Sequence, residues 1–117
     1  MAKKLTKIDQ PQTIPNKLTS NIHSPFVLGF KHKLYSGFTF KELTKENLGE
    51  FQRFLNKIAD QTVTDVDRLY ARTPDSNDVA YGKNVRHYLV TDVFRIHVIL
   101  EDGVYNVLRL DPKHKVH

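Results

Sequence analysis

The clearest pattern along the chain lies in its last third, where short runs of β-branched and aromatic residues alternate with polar ones. The runs are Val85 to Val90, Val93 to Leu100 and Val104 to Leu110. Runs of this length and composition are typical of strands. Because the connections between them are too short for crossover helices, they predict three consecutive antiparallel strands.

Upstream of these strands the apolar period becomes helical over about residues 45–60. The residues at helical spacing are Leu48, Phe51, Phe54, Leu55 and Ile58. Thr44 is a candidate N-cap and Glu46 lies in the first turn, as expected for a helix start. A second helix is predicted to start at Thr64 and to end before Pro74. Its apolar stripe is Val66, Leu69 and Tyr70.

Two aromatic runs precede the first helix. They are FVLGFKHKLY and GFTFKELT, and they lie on either side of the turn-like pair Ser36-Gly37. We expect one or two strands here. The segment ARTPDSND after the second helix is typical of a loop. The order of strand, helices and antiparallel meander predicts an α+β fold.

The turn between the last two strands sets which side chains share a face of the sheet. We expect residues 101–103, with the sequence EDG, to form a three-residue loop whose glycine is left-handed. This loop places Ile96 opposite Leu108. A two-residue turn would instead pair Ile96 with the charged Arg109 and mix charge into the apolar face.

This register separates an apolar face from a polar face. The apolar face comprises Phe94, Ile96, Val98, Leu100, Val104, Leu108 and Leu110, with Asn106 as its polar member. The polar face comprises Arg95, His97, Ile99, Tyr105, Val107, Arg109 and Asp111. The helix over about residues 45–60 is predicted to pack on the apolar face. The side chains expected in that contact are Leu48, Phe51, Leu55 and Ile58, against Phe94, Ile96, Val98 and Leu108.

The predicted polar face has two interpretations. Arg95 would lie across from Arg109, and facing like charges are unfavourable unless an anion or a carboxylate sits between them. Because guanidinium groups bind phosphate in a bidentate manner, the face is a candidate phosphate-binding surface. Polar side chains also decorate the solvent side of ordinary antiparallel sheets. Arg86 and His87 lie on the preceding strand, and only one of them can share this face.

Composition indicates one domain. The chain has 117 residues, of which 39% are hydrophobic, and we expect a single α+β domain over residues 25–117. Residues 1–24 contain four Lys without sustained periodicity. They predict a flexible basic arm, which is either a tail without a role or a phosphate-tracking or partner-binding segment.

Charge and missing motifs narrow the function further. The net charge of +5 favours a polyanionic partner. The chain contains no Cys, and no apolar run reaches the roughly 20 residues of a membrane span. The N-terminus also lacks the apolar centre of a signal peptide. We therefore expect a cytoplasmic protein without a membrane partner.

Metal and cofactor chemistry has little support in the sequence. His114 and His117 lie three residues apart near Asp111, but neither an HExxH motif nor an acidic cluster accompanies them. A phosphate-binding glycine loop and a nucleophile elbow are also missing. We expect no metal and no cofactor.

The last strands carry a family resemblance. FRIHVILEDGVYNVLRLDPKHKV, together with GFTFKEL near residue 37, resembles small prophage or mobile-element proteins. These end in a hairpin of the DGVxYVLxLDPxHK type, and their element order is similar to the RelE-like toxin superfamily. The resemblance implies a twisted antiparallel sheet with two helices packed on one face. It also implies binding of messenger RNA on the open face, with the ribosome and an antitoxin protein as possible partners.

The resemblance implies a metal-independent endoribonuclease. A base, a phosphate clamp and an acid are the groups that such cleavage needs. We expect His97 as the base or acid, Arg95 and Arg109 as the clamp, and His114 as the alternative acid. The remaining residues expected to contact RNA are Arg86, Tyr105, Lys113 and Lys115.

Two other functions stay open. The same basic face is compatible with a noncatalytic RNA- or protein-binding accessory module of a phage or mobile element. A toxin-like scaffold that oligomerises or inhibits a host factor, with a charge that only solubilises it, is the third hypothesis. Cleavage, binding without cleavage, and neither outcome separate the three.

Overall fold

The computed structural model describes residues 24–73 and 77–116. Its elements in chain order are β1 (Leu28–Gly29), a 3₁₀ helix (Phe40–Glu42), α1 (Lys45–Ile58), α2 (Val63–Tyr70), β2 (Ala71–Arg72), β3 (Val79–Ala80), β4 (Lys83–Asn84), β5 (Arg86–Leu89), β6 (Arg95–Glu101) and β7 (Val104–Asp111). Apart from Ser24, the predicted N-terminal arm lies outside the described residues. In the two described ranges, every helix is too short or too polar to cross a membrane.

Five of the strands form one sheet in the order β1-β7-β6-β5-β2. β1 runs parallel to β7, and the other neighbours are antiparallel. Both helices pack on one face of this curled sheet. The predicted α+β class and the predicted three-strand meander are therefore confirmed, and the arrangement is consistent with a RelE-like fold.

Both helices begin at threonine caps. The Thr44 hydroxyl accepts a hydrogen bond from the Asn47 backbone N–H, and the Asn47 side chain accepts one from the Thr44 N–H. This reciprocal capping satisfies two N–H groups that a helix start leaves without partners. α2 begins at Val63 with Thr62 as its N-cap, slightly before the predicted start at Thr64.

The apolar stripe of α1 is rotated relative to the prediction. The residues that α1 buries are Phe51, Phe54 and Ile58. Leu48 is exposed and Leu55 is half-buried, so the predicted burial of Leu48 is wrong. A phenylalanine removes more apolar area from water than a leucine, which favours the orientation that buries Phe54.

The β6–β7 hairpin differs from the prediction at its turn. Asp102 and Gly103 both have positive φ, 51° and 81°, and form a two-residue turn of the type I′ kind. The turn matches the right-handed twist of the strands. Ile96 nevertheless pairs with the apolar Leu110 and not with Arg109, because the register shifts by one residue further along the hairpin.

A β-bulge causes this shift. Leu108 lies unpaired between the pairs Val98–Val107 and His97–Arg109. The two residues of a bulge that oppose one partner point to the same side of the sheet. Leu108 therefore lies on the polar face beside Arg109, and Val107 lies in the core under the helices. Both positions are the reverse of those predicted.

The polar face of the sheet is covered, whereas the sequence predicted an open face. One cover is β3 and β4 with their flanking residues (78–85), here named the covering hairpin, which packs Val85 against the sheet. The other is residues 31–35, here named the covering segment. Its Tyr35 N–H donates a hydrogen bond to the Leu108 carbonyl, 2.9 Å away. Together they shield the middle of the polar face from solvent.

The two aromatic runs form less strand than predicted. The first contributes only β1, where Gly29 lets the backbone approach β7 closely because a Cβ there would lie 2.6 Å from Asn106 Oδ1. The second forms the 3₁₀ helix, whose start is capped by Thr39 and Glu42. The predicted loop ARTPDSND begins within β2, and its residues 74–76 lie outside the described residues.

Candidate functional site

Two stacked imidazoles occupy the centre of the polar face. His87 on β5 pairs in register with His97 on β6, and their ring centroids are 3.9 Å apart with an interplanar angle of 22°. Both side chains are fully buried. The prediction that His97 lies on the same face as Arg109 is confirmed. The prediction that this face is open at His97 is wrong, because the covering hairpin and the neighbouring strands enclose the ring.

Asp78 of the covering hairpin links the histidines to Arg109. Its Oδ2 accepts hydrogen bonds from His87 Nε2 at 3.0 Å and from Arg109 Nη2 at 2.6 Å. The Tyr35 ring lies 5.3 Å from the Arg109 guanidinium carbon, within cation–π range. Arg109 is therefore the cation of a mostly buried ion pair.

Burial controls the protonation of this cluster. Burial is the largest cause that lowers the pKa of His97 to about 2, and electrostatic repulsion from His87 and Arg109 contributes to the same shift. Burial also lowers the pKa of His87, against the raising effect of its hydrogen bond to Asp78. For Asp78, burial raises the pKa, but the hydrogen bonds from Arg109 and His87 outweigh it and the pKa is lowered. At neutral pH the cluster contains two uncharged imidazoles beside one ion pair.

Arg95 lies across from Asp111 and not from Arg109 as predicted. Asp111 is fully buried. Its carboxylate oxygens accept hydrogen bonds from the backbone N–H groups of Lys115 at 2.8 Å and Val116 at 2.9 Å. The bulge in β7 thus replaces the predicted like-charge pair with an arginine that faces a carboxylate, and the chain after β7 folds back over that carboxylate.

The basic tail lies at the end of β7, as the resemblance implies. Lys113 and Lys115 are exposed and line a cavity of about 200 Å³ together with Asp111 and Gly37. His114, between the two lysines, is half-buried and has a positive φ of 53°. The basic tail therefore lies next to Asp111, which is the strand partner of Arg95.

Tyr105 and Arg86 lie on the helix side of the sheet, away from this cluster. Tyr105 is only 3% exposed and stacks on Phe26 with ring centroids 4.5 Å apart. The predicted placement of Tyr105 on the polar face is therefore wrong. Stacking of an RNA base on Tyr105 would also need an accessible ring, and this ring is buried. Arg86 is exposed, with its guanidinium carbon 5.7 Å from the Tyr105 ring centre and its Nη1 3.9 Å from Asp67 Oδ2.

The outer side of the two covers carries groups that the sequence analysis did not single out. These exposed residues, here named the basic-aromatic surface, are Lys31, Lys33, Tyr35, Tyr81 and Lys83. His32 joins the two covers by stacking on Tyr81, with ring centroids 4.3 Å apart. The alternation of cations and aromatics in FKHKLY could have indicated this surface, but the same pattern is typical of a strand.

Tyr81 adopts an unusual backbone conformation at the tip of the covering hairpin. Tyr81 and Gly82 have positive φ values of 54° and 73°, as in a type I′ turn. Asn or Asp is preferred at the first of these positions, and a bulky residue there is strained by roughly 1 kcal/mol or more. This strained residue is 58% exposed, and its ring stacks on His32.

Among the described residues, no group of three or more His, Asp or Glu side chains is arranged to hold a metal ion. No family model matches the chain. Comparisons with curated proteins and with solved structures also find no significant match. The candidate function therefore depends on the geometry of the polar side of the sheet and of its covers.

Proposed function

We propose that this protein binds single-stranded RNA, free or within the ribosome, as a RelE-like toxin-type protein. The observation that carries the proposal is the basic-aromatic surface. Its exposed Tyr35 and Tyr81 are each two residues from an exposed lysine, Lys33 and Lys83, and His32, next to Lys31, stacks on Tyr81. Proteins that bind single strands combine cations that follow the phosphates with aromatic rings on which bases stack.

The charges around this surface support an anionic ligand. The carboxylates on the polar side are mostly engaged within the fold: Asp78 with Arg109, Glu101 with His32, and Asp111 with backbone N–H groups. Within the two described ranges, no salt bridge involves Lys31, Lys33 or Lys83. A phosphate backbone is the ligand that supplies the missing negative charge.

The basic tail extends this surface. Tyr35 ends the covering segment, and Gly37 two residues later lines the cavity of about 200 Å³ beside Lys113 and Lys115. A strand of RNA that follows the covering segment would reach these two lysines. We propose Lys113 and Lys115 as phosphate contacts at the end of the surface.

Cleavage of the bound RNA is a separate part of the proposal. The buried position of His97 and its low pKa do not favour it as a base for RNA at the surface. Arg109 is likewise occupied by Asp78. Binding is therefore the function that the geometry supports best, and the noncatalytic module differs from a toxin-type ribonuclease only in whether the bound RNA is cut.

Tyr81→Asn tests binding and separates it from folding. Asparagine suits the first position of the type I′ turn, so we expect unchanged or slightly higher stability. RNA affinity should fall about tenfold, because loss of one base–aromatic stack costs roughly 1–3 kcal/mol. Fluorescence anisotropy with a labelled single-stranded RNA, beside thermal unfolding of the same samples, measures both quantities.

Lys57→Gln is the matched control, since Lys57 is an exposed cation in the last turn of α1 on the helix side. Its RNA affinity should equal that of the wild type. Equal affinity of wild type and Tyr81→Asn would remove the basic-aromatic surface from the proposal. The absence of RNA binding by wild type would reject the proposed function.

A further inference from the structure

His32 and Glu101 form a close imidazole–carboxylate pair under the basic-aromatic surface. Glu101 Oε1 accepts a hydrogen bond from His32 Nε2 at 2.7 Å and a second from Asn106 Nδ2 at 2.9 Å. The two side chains of the pair are 15% and 14% exposed. The Tyr81 ring stacks on the imidazole of His32, with ring centroids 4.3 Å apart. The imidazole is thus held in one orientation by a carboxylate and a stacked ring.

The hydrogen bonds of Glu101 define the state of His32. The bonds from His32 and Asn106 lower the pKa of Glu101, so its carboxylate is ionised at neutral pH. An ionised carboxylate requires a proton on the facing nitrogen, which places the hydrogen on His32 Nε2. In the neutral ring, Nδ1 then carries a lone pair. Nδ1 makes no hydrogen bond to any residue that the structure describes, and 15% of the His32 side chain is exposed.

We propose that His32 is the catalytic base of a metal-independent ribonuclease activity, positioned by Glu101, with single-stranded RNA on the basic-aromatic surface as its substrate. This inference rests on the proposed RNA binding. An imidazole oriented by a carboxylate, with its other nitrogen accessible, is the usual arrangement of a general base. Unlike His97, His32 lies at the surface where the RNA would be bound.

The reaction is an intramolecular transesterification of the RNA linkage that consumes no water. His32 Nδ1 takes the proton of a ribose 2′-hydroxyl, and the 2′-oxygen forms a bond to the adjacent phosphorus. The bond from phosphorus to the 5′-oxygen breaks. A solvent water protonates the departing 5′-oxygen, and the imidazolium returns its proton to solvent. The products are a 2′,3′-cyclic phosphate and a free 5′-hydroxyl.

The reaction also requires a cation that stabilises the phosphorane, and the sequence neighbours of His32 supply it. Lys31 and Lys33 flank it in sequence and are exposed, so either ammonium group can stabilise the extra negative charge on the phosphorane. Tyr81 is held in a strained conformation while its ring stacks on His32 and remains open to solvent. An RNA base can stack on the face of the Tyr81 ring that does not contact His32, one ring away from the imidazole.

His32→Phe and Glu101→Gln test the two roles. Phenylalanine keeps a ring against Tyr81 but cannot accept a proton, and glutamine keeps the shape of Glu101 without its charge. The full-length wild type and both variants are incubated with EDTA and either a labelled RNA oligonucleotide or ribosomes programmed with a messenger RNA. Cleavage rate, product ends, RNA affinity and the dependence of rate on pH are measured. Lys57→Gln again serves as the control.

We expect wild-type cleavage with 2′,3′-cyclic phosphate ends, and at least a 100-fold slower rate for His32→Phe with RNA affinity within about threefold, since general bases contribute 10²–10⁴-fold. Glu101→Gln should slow cleavage less and displace the acid limb of its pH profile. Binding without cleavage by wild type, in both assays, would overturn the His32 assignment and leave the proposed RNA binding intact. Undiminished cleavage by folded His32→Phe would also overturn it. Loss of all RNA binding by wild type would instead reject the proposed function.

Discussion

His97 shows how burial changes the chemistry of a single residue. Its ring is enclosed on the polar face, and neither ring nitrogen makes a hydrogen bond to a described residue. The charged and titratable groups that influence it are His87, Arg95, Arg109, Asp78 and Asp111. Protonation would place a further positive charge in this enclosed cluster. The imidazole therefore stays neutral, and its buried state makes the fold sensitive to acid.

The stability of the wild type should fall as pH decreases below about 6.5. The pKa of His97 is about 2 in the folded protein against 6.5 as the ordinary value, so below pH 6.5 the unfolded chain binds a proton that the folded protein excludes. Between pH 6.5 and roughly pH 4.5 this one residue should remove about 2 kcal/mol. Urea unfolding at a series of pH values measures the slope. His97→Leu should show a shallower slope, and an equal slope in both proteins would contradict this account.

At the scale of elements, two glycines have opposite roles. Gly29 on β1 faces Asn106 on β7, and a Cβ there would lie 2.6 Å from Asn106 Oδ1 and 2.8 Å from Val104 Cγ1. Gly49 lies within α1, where a Cβ would meet only Arg53 Nη1 at 3.6 Å. The first glycine permits the close approach of two strands, whereas the second only adds backbone freedom to a helix.

Alanine at the two positions should therefore change stability in opposite directions. Gly29→Ala forces a shift of the side chains on β7 and should cost about 1–3 kcal/mol. Gly49→Ala should add roughly 0.5–1 kcal/mol, because alanine loses less backbone entropy in a helix. Guanidinium unfolding of the two variants beside wild type gives both values. A stabilised Gly29→Ala would show that β1 does not pack on β7 as described.

The whole molecule distributes cations over both sides of the sheet. Arg53, Lys57 and Arg86 are exposed on the helix side, whereas the basic-aromatic surface lies on the other side. The net charge of +5 by itself does not distinguish these surfaces. The arrangement of lysines beside exposed tyrosines does, because that surface offers both phosphate contacts and stacking rings.

The salt dependence of RNA binding should locate the phosphate contacts. Lys33→Gln and Lys83→Gln should each weaken binding equally for different RNA sequences and reduce the slope of log affinity against log salt by roughly one. Lys57→Gln should leave the slope unchanged. Titrations at several salt concentrations provide the slopes. If Lys57→Gln lowered the slope as much as Lys33→Gln, RNA would bind on the helix side or without a defined site.

The sequence by itself determined the α+β class, the position of α1 and the three-strand meander. These features depend on local periodicity and on short connections, which a sequence states directly. It also placed Arg95, His97 and Arg109 on one face of the sheet, since side chains alternate along a strand. The pair Asp102-Gly103 is also typical of a type I′ turn. That turn was not predicted, because without the bulge it would pair Ile96 with the charged Arg109.

The tertiary structure decided which of these side chains are accessible. A single bulge at Leu108 exchanged Arg109 for Asp111 opposite Arg95 and moved Val107 into the core. The covering hairpin and covering segment then buried the predicted face and brought His32 to Glu101, 69 residues apart in the chain. Strand alternation assigns a residue to a face, but only the packing of distant segments determines whether that face meets water, because coverage is a long-range contact that local pattern does not encode.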